Sequence, residues 1–188
     1  MTYFSIDVEA SGQLAPLYNL LSIGVSVVRR NGDRHVVDDA SFYVELRPIF
    51  PGFDPAALAV CGLDVERLGR EGVEPKEAMT RLTDFVRAHN RPPKAEPVFV
   101  GHNAVFDWAY IAYYYAHFGL ENPFGYKGIE TKSLAMGRLG IPWYATSKEN
   151  LAKVLDLPPQ DPAQIHRADY DAWYQAKILT ALLDRAPA

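Results

Sequence analysis

The sequence predicts an α/β fold with a mixed sheet, in one domain spanning residues 1–188. A length of 188 residues is that of one domain, and 48% hydrophobic with 22% charged residues is an ordinary globular composition. The first strand-like segments are joined by a hairpin signal, which indicates antiparallel pairing. The later ones alternate with helical segments, which is typical of βα units and parallel pairing.

The strands are predicted from their β-branched and aromatic residues. Five segments have this content: residues 2–8, 20–30, 35–46, 97–101 and 128–131. Between the second and third segments, Asn31 and Gly32 form the dipeptide that favours a tight hairpin turn. We therefore expect the second strand to pair antiparallel with the third.

The helices are predicted from apolar residues at helical spacing and from residues that begin or end helices. They are expected at residues 54–60, 64–69, 74–90, 104–118, 131–138, 148–155 and 167–183. Asn103 and Ser147 are suitable N-caps for the helices that begin at 104 and 148, and Gly119 ends the former. A loop containing Pro142 and Trp143 precedes the helix at 148.

Composition excludes several classes of protein. The single cysteine, Cys61, cannot form an internal disulfide, which excludes a small disulfide-stapled secreted fold. The N-terminus has no basic segment before its first strand, and no apolar stretch approaches the ~18 residues that cross a bilayer. We therefore expect a soluble, cytoplasmic protein. The formal net charge of −4 argues against broad binding of duplex nucleic acid but permits a local nucleic-acid site.

Carboxylates lie at the ends of elements that otherwise have the pattern of buried ones. Asp7 and Glu9 are two residues apart on the first strand and share one side of it. Asp107 and Asp171 each head the apolar stripe of a helix. Taken singly, each also fits an ordinary role at a strand end or beside a helix dipole. Asp169 competes with Asp171, and spacing does not decide between them.

Together these acids predict a site for divalent metal ions. Four carboxylates at close quarters would repel one another and raise their pKa values, and two divalent cations would balance their charge. Ligands that offer only oxygen suit Mg²⁺ or Mn²⁺ rather than zinc. Two such ions about 3.5–4 Å apart form a clamp for phosphoryl displacement. His166, five residues before Asp171, is then the candidate proton acceptor for the attacking water, although a lone histidine is more often an ordinary surface residue.

Three motifs resemble those of the DEDDh (DnaQ-like) 3′–5′ exonucleases, the family of ribonuclease T, oligoribonuclease and the proofreading subunit of bacterial DNA polymerase III. Residues 7–12, Asp-Val-Glu-Ala-Ser-Gly, resemble the first motif. Residues 102–107 contain the Asn-x-x-Phe-Asp core of the second, and residues 166–171 match His-x-Ala-x-x-Asp of the third. The turn at Cys61-Gly62-Leu63 and the pair Glu130-Thr131 also resemble family features. The resemblance covers about residues 3–184.

The resemblance implies an RNase H-like fold with a five-stranded mixed sheet flanked by helices. It also implies that His166 is the general base and that the metal ligands are four carboxylates: Asp7, Glu9, Asp107 and Asp171. It thereby selects Asp171 over Asp169. Arg167 occupies the position at which the tyrosine variant of the superfamily has its tyrosine.

The resemblance further implies contacts to the substrate. Residues expected to lie under or against the last nucleotides, or within the second motif, are Ser11, Gly12, Leu14, Leu17, Tyr18, Asn103 and Phe106. Backbone amides of the first two would reach the sugar of the 3′-terminal nucleotide, and apolar faces would stack its base without reading sequence. Phe106 fits a stacking role and a core role equally, and most of the run Tyr113-Tyr114-Tyr115 is expected in the core or an interface.

The leading hypothesis is a metal-dependent 3′–5′ exonuclease with two ions, Mg²⁺ or Mn²⁺. Its expected substrates are the 3′ ends of single-stranded RNA or DNA, and its expected products are nucleoside 5′-monophosphates. One alternative is a phosphoester hydrolase that acts on nucleotides or small phosphodiesters. Another is an inactive nucleic-acid-binding module on the same fold. A homodimer is an open option, with the aromatic helix 104–118 as its interface or simply as core.

Overall fold

A five-stranded mixed sheet forms the centre of the computed structural model, which describes residues 1–185. The strands in chain order are β1 (Thr2–Ala10), β2 (Leu20–Asn31), β3 (Arg34–Glu45), β4 (Val98–Gly101) and β5 (Gly128–Glu130). Their order in the sheet is β3-β2-β1-β4-β5. The pairs β1–β2 and β2–β3 are antiparallel, whereas β4 runs parallel to β1 and to β5. This arrangement confirms the mixed sheet and the antiparallel second strand.

Seven α-helices accompany the sheet in the described part of the chain. They are α1 (Pro55–Cys61), α2 (Val65–Glu71), α3 (Pro75–His89), α4 (Val105–His117), α5 (Thr131–Leu139), α6 (Lys148–Val154) and α7 (Ala168–Asp184). Each predicted helix is present within a few residues of its expected ends. No helix within residues 1–185 combines the length and the apolar character needed to cross a membrane.

The two faces of the sheet are covered by different helices. Phe4, Ile6 and Val8 of β1 are buried in one core cluster with side chains of α3 and α4. On the opposite face, strand residues such as Val28 pack against Leu179 of α7. Side chains alternate along a strand, so the odd-numbered residues of β1 lie on the face that α7 covers. This alternation directs Asp7 and Glu9 toward the start of α7.

Gly24 of β2 allows the first turn of α7 to approach the sheet. Gly24 pairs with Asp7 in the β1–β2 register. A Cβ atom at Gly24 would lie 2.1 Å from the carbonyl carbon of Ala168, which is the first residue of α7. Only a residue without a side chain fits so close an approach. Gly24 therefore helps to bring Asp171, in the first turn of α7, beside Asp7.

Two local predictions differ from the structure. Asn103 does not cap α4: it has a left-handed φ of 66°, Ala104 occupies the cap position, and no side-chain capping bond is present there. The Asn103 backbone N–H instead donates to Glu130 Oε1 across 3.0 Å, so a tertiary contact replaces the local cap. The predicted loop at Pro142 and Trp143 contains a 3₁₀ turn, Trp143–Ala145. By contrast, Ser147 caps α6 as expected, since its side chain accepts a hydrogen bond from Asn150 N.

The aromatic helix α4 contributes mainly to the core of its own chain. Tyr110, Ile111, Tyr114 and Tyr115 are all buried. Tyr113 is half-buried and packs against the same core cluster. Two of the three consecutive tyrosines are thus core residues, and α4 gives no support to a homodimer interface.

Candidate active site

Four carboxylates from three separate elements converge on one cleft of about 810 Å³. Asp7 and Glu9 come from the end of β1, Asp107 from the first turn of α4, and Asp171 from the first turn of α7. Asp107 and Asp171 are each only 4% exposed. The structure therefore places the four predicted carboxylates in one pocket, where burial makes an unpaired negative charge costly.

Lys148 lies between two of these carboxylates. Its Nζ atom is 2.6 Å from Asp171 Oδ1 and 3.5 Å from Asp7 Oδ1. The Lys148 side chain is 18% exposed. Burial alone would lower the pKa of Lys148, but the charges of Asp7 and Asp171 outweigh burial and raise it. Lys148 is therefore a permanent positive charge inside the acidic cluster.

Backbone and amide donors hold the two helix carboxylates in position. Asp107 Oδ1 accepts a hydrogen bond of 2.9 Å from the N–H of Val8, which ties α4 to the middle of the site. Asp171 Oδ2 accepts from the N–H of His166 at 2.8 Å, and its Oδ1 accepts from Gln160 Nε2 at 3.0 Å. These bonds fix the carboxylate oxygens before any ligand arrives.

Asp7, Glu9 and Asp107 resist ionisation, because their pKa values are raised. Burial is the largest cause that raises the pKa of Glu9 to about 9, and the neighbouring charges of Asp7 and Asp171 add to it. Burial likewise raises the pKa of Asp7, although Lys148 opposes the shift, and burial together with the charge of Asp7 raises that of Asp107. Carboxylates that lie this close together can ionise together only if cations balance their charge, so the cluster favours the binding of cations.

His166 lies at the rim of the cleft, where its side chain is exposed. Its φ of 67° is a left-handed conformation that side chains other than glycine adopt uncommonly and that clusters at functional sites. Ligand atoms of Glu9, His166 and Asp171 all lie within 4.8 Å of one another. Carboxylate oxygens dominate this donor set, so the residues present fit hard divalent ions such as Mg²⁺ or Mn²⁺.

Several polar residues of the cleft were not predicted from the sequence. Lys132, Lys148, Gln160 and the ring of His102 line it. The pKa of His102 is lowered to about 4, chiefly by burial and also by the charges of Lys148 and Lys132, so this imidazole is neutral at pH 7. The two lysines carried a sequence signal: both lie in the first turn of a helix, where the macrodipole disfavours a cation.

The expected substrate contacts are divided between the cleft and its surroundings. Gly12, Asn103 and Phe106 line the cleft. Ser11 lies outside the lining and is fully buried: its N–H donates to Asn19 O, and its Oγ bonds Gly52 O and Asn19 N. The backbone amide of Ser11 is thus occupied within the fold.

Three further expected contacts also lie outside the cleft lining. Leu14 and Leu17 are 51% and 65% exposed. Tyr18 packs on the core, and its ring lies 2.2 Å from the point at which Gly12 would carry a Cβ atom. Gly12 is therefore the residue that allows this tyrosine to pack directly behind the cleft wall.

The two acids of the third motif have different surroundings. Asp171 faces the cleft, whereas Asp169 pairs with Arg167 at 2.9 Å and borders a separate groove with Asp38, Asp39 and Trp173. The structure thus separates two residues that spacing had left equivalent.

Comparison with curated proteins gives relatives that are nucleases. Over 183 residues, 97% of this chain and 91% of the relative, the chain is 34% identical to the 3′-5′ DNA exonuclease Cap18 of Escherichia coli. Over 185 residues, 96% of this chain and 81% of the relative, it is 29% identical to ribonuclease T of Shewanella frigidimarina. No model of a known protein family matches the chain.

Solved structures with a similar fold are nucleases as well. The nuclease domain of 3′hExo, a DEDDh family member bound to rAMP, superposes with a TM-score of 0.79 at 14% identity, over 97% of this chain and 91% of that one. E. coli exonuclease I in complex with a dA16 oligonucleotide superposes with a TM-score of 0.72 at 16% identity, over 98% of this chain and 41% of that one. Because the sequence identities are low, these structural similarities establish the RNase H-like fold alone.

Proposed function

The chain belongs to the DEDDh (DnaQ-like) family and is a 3′–5′ exonuclease, and from that premise we propose its substrate, cofactors and catalytic residues. It removes nucleotides one at a time from the 3′ end of single-stranded DNA or short RNA and releases nucleoside 5′-monophosphates. Residues 1–188 act as one domain. The observation that carries this proposal is the convergence of Asp7, Glu9, Asp107 and Asp171 on one cleft with His166 at its rim.

The four carboxylates are the residues that would hold two divalent ions, Mg²⁺ or Mn²⁺. When bound, such ions stabilise negative charge on the scissile phosphate and make water more acidic. The raised pKa values of Glu9 and Asp107 support this assignment, because added positive charge is what allows buried carboxylates to ionise together. The bonds from Val8 N and His166 N orient Asp107 and Asp171 for that task.

His166 is the general base of the proposed reaction. It accepts a proton as the water oxygen attacks phosphorus, and the bond from phosphorus to the 3′ oxygen of the preceding nucleotide breaks. The shortened strand keeps a 3′ hydroxyl, and the departing nucleotide carries the 5′ phosphate. The exposed position of His166 at the cleft rim lets it pass the proton to solvent.

Single-stranded substrates fit the charge and shape of the chain. A formal net charge of −4 disfavours a long duplex, and the acidic cluster leaves the phosphate backbone only local cations, Lys132 and Lys148, within the cleft. Gly12 and Phe106, which line the cleft, would contact the 3′-terminal nucleotide. The identity to a DNA exonuclease, 34% against 29% to ribonuclease T, favours DNA ends over RNA ends.

Product analysis tests this proposal. We expect an unlabelled single-stranded oligonucleotide, incubated with Mg²⁺, to yield nucleoside 5′-monophosphates, and mononucleotides to release no inorganic phosphate. Phosphate release from mononucleotides, with intact oligonucleotides, would instead identify a hydrolase of small phosphoesters. Binding of the oligonucleotide without any product would identify an inactive binding module.

A further inference from the structure

Two large aromatic side chains are exposed on the 3₁₀ turn that precedes α6, and neither has a role in the chemistry described above. Trp143 is 46% exposed and Tyr144 is 84% exposed. The Nζ atom of Lys132 lies over the indole ring of Trp143, 4.2 Å from its centroid. Because Lys132 also lines the cleft, Trp143 adjoins the cleft through this lysine. Here an aromatic face lies beside a cation, next to a site for an anionic substrate. This combination suits a ligand that contains both aromatic rings and phosphates.

The segment that carries these rings is a turn closed by its own hydrogen bonds and by a buried threonine. Ala145 N donates to Pro142 O at 2.9 Å, and Thr146, which is fully buried, donates from Oγ1 to Trp143 O at 2.6 Å. The capping residue of α6 follows directly, and the next residue is Lys148 inside the cleft. The rings are therefore presented by a rigid turn, which lowers the entropic cost of binding a strand against them.

A second lysine–tryptophan pair shows that the surroundings, and not the pair itself, distinguish this place. Lys177 Nζ lies 3.9 Å from the ring centroid of Trp173 on α7. That tryptophan borders a groove with three carboxylates, those of Asp38, Asp39 and Asp169. The residues that line this groove include none of the proposed metal ligands, so its negative charge would repel phosphates. The pair at Trp143 instead adjoins the cleft in which Lys148 and the proposed metal ions would offset the charge of the carboxylates.

We propose that Trp143, Tyr144 and Lys132 form a subsite for the nucleotides that lie upstream of the 3′-terminal dinucleotide. Bases of the single strand stack on the two rings, and Lys132 pairs with a backbone phosphate. The subsite is indifferent to base identity because every base has a stacking face. This inference rests on the proposed exonuclease function, and it adds that the enzyme grips strands longer than the dinucleotide on which the chemistry takes place.

The experiment measures KM and kcat on a length series from a dinucleotide to an octanucleotide. For Trp143→Ala, we expect the ratio of the octanucleotide KM to the dinucleotide KM to rise about tenfold, because the contact with one stacked base is lost. Trp143→Phe, which keeps a stacking face, should recover most of that difference. Trp173→Ala removes the matched tryptophan from the acidic groove and should leave the length dependence as in the wild type.

Lys132→Ala tests the phosphate contact separately. The octanucleotide KM of this variant should depend less steeply on salt concentration than the KM of the wild type. The difference in slope should correspond to the release of about one counterion fewer. Equal length dependence in Trp143→Ala and wild type, with active enzyme, would overturn the subsite and leave the exonuclease function intact. A wild-type enzyme that cleaves neither substrate would overturn the exonuclease proposal itself.

Discussion

The side-chain nitrogen of Lys148 lies 2.6 Å from Asp171 Oδ1, an oxygen of a carboxylate that is proposed to hold a metal ion. The lysine and the ion are both cations that balance the same carboxylates. Lys148 is thus the counter-ion of the metal-free cluster, since its other close carboxylate is Asp7. If these carboxylates held a divalent ion, its charge would share that balance, and the Lys148 ammonium would then be available to a substrate phosphate.

Replacement of Lys148 tests this relationship. Lys148→Met should lower the free energy of unfolding in EDTA by about 3 kcal/mol, because it leaves a buried carboxylate without its partner. Saturating Mg²⁺ should restore most of the loss. Thermal and denaturant unfolding with and without Mg²⁺ measure both effects.

Lys153→Met is the matched control on the same helix. Lys153 forms an exposed pair with Glu149 one turn away, so its removal should cost at most about 0.5 kcal/mol in either condition. Equal destabilisation by the two substitutions would contradict the role given to Lys148.

Asp171→Asn should lower kcat at least about 100-fold while the protein stays folded, because the amide oxygen is a poor ligand for a divalent ion. Asp169→Asn serves as the control, since Asp169 lies two residues away and pairs with Arg167 outside the cleft. Its kcat should stay close to that of the wild type. Steady-state rates and circular dichroism of both variants make the comparison, and a wild-type rate in Asp171→Asn would refute the site assignment.

His166→Ala should lower kcat by about 10²–10⁴-fold near neutral pH, the range expected for loss of a general base. The deficit should shrink at higher pH, where hydroxide replaces the missing base. The pH–rate profile of the variant should therefore rise where that of the wild type has levelled. A variant profile that runs parallel to the wild type across the whole range would contradict the general-base role.

Metal-free stability should fall as pH rises, and Mg²⁺ should oppose that fall. The pKa of Glu9 is raised from 4.5 to about 9, so the folded protein holds a proton that the unfolded chain has released over this interval. Unfolding then releases protons, which makes the unfolded state more favourable as pH increases. Because Mg²⁺ binds the ionised carboxylates, its stabilising effect should be larger near pH 8.5 than near pH 5.5.

Melting temperatures in EDTA and in Mg²⁺ across that interval measure this linkage. Glu9→Gln should flatten the pH dependence in EDTA, since the amide does not ionise. A Mg²⁺ effect that is the same at both ends of the interval would show that Glu9 is ionised without metal.

The fold could be predicted to a large extent because its signals are local. The Asn31-Gly32 turn specifies the β2–β3 hairpin, and apolar periodicity places the helices within a few residues. The acids at Asp7, Asp107 and Asp171 were conspicuous because each interrupts a buried pattern. Rules based on neighbouring residues predict an element well when contacts within that element determine its structure.

The remaining features depend on tertiary contacts. Asn103 has the chemistry of an N-cap, but Glu130, distant in sequence, takes its N–H and sets a left-handed backbone. Lys148 has a long, flexible side chain, and the position of its ammonium group depends on the carboxylates that surround it in the folded protein. The burial of Ser11 follows from its bonds to Asn19 and Gly52, which the motif pattern does not encode.

The proposed exonuclease activity is tested by a time course on 5′-labelled single-stranded DNA and RNA oligomers, in Mg²⁺, Mn²⁺ or EDTA, with Asp171→Asn alongside. We expect a ladder that shortens from the 3′ end in the presence of either metal. The ladder should be absent in EDTA and in the variant, and stronger on DNA than on RNA. Full-length substrate throughout, with folded protein and metal present, would contradict it.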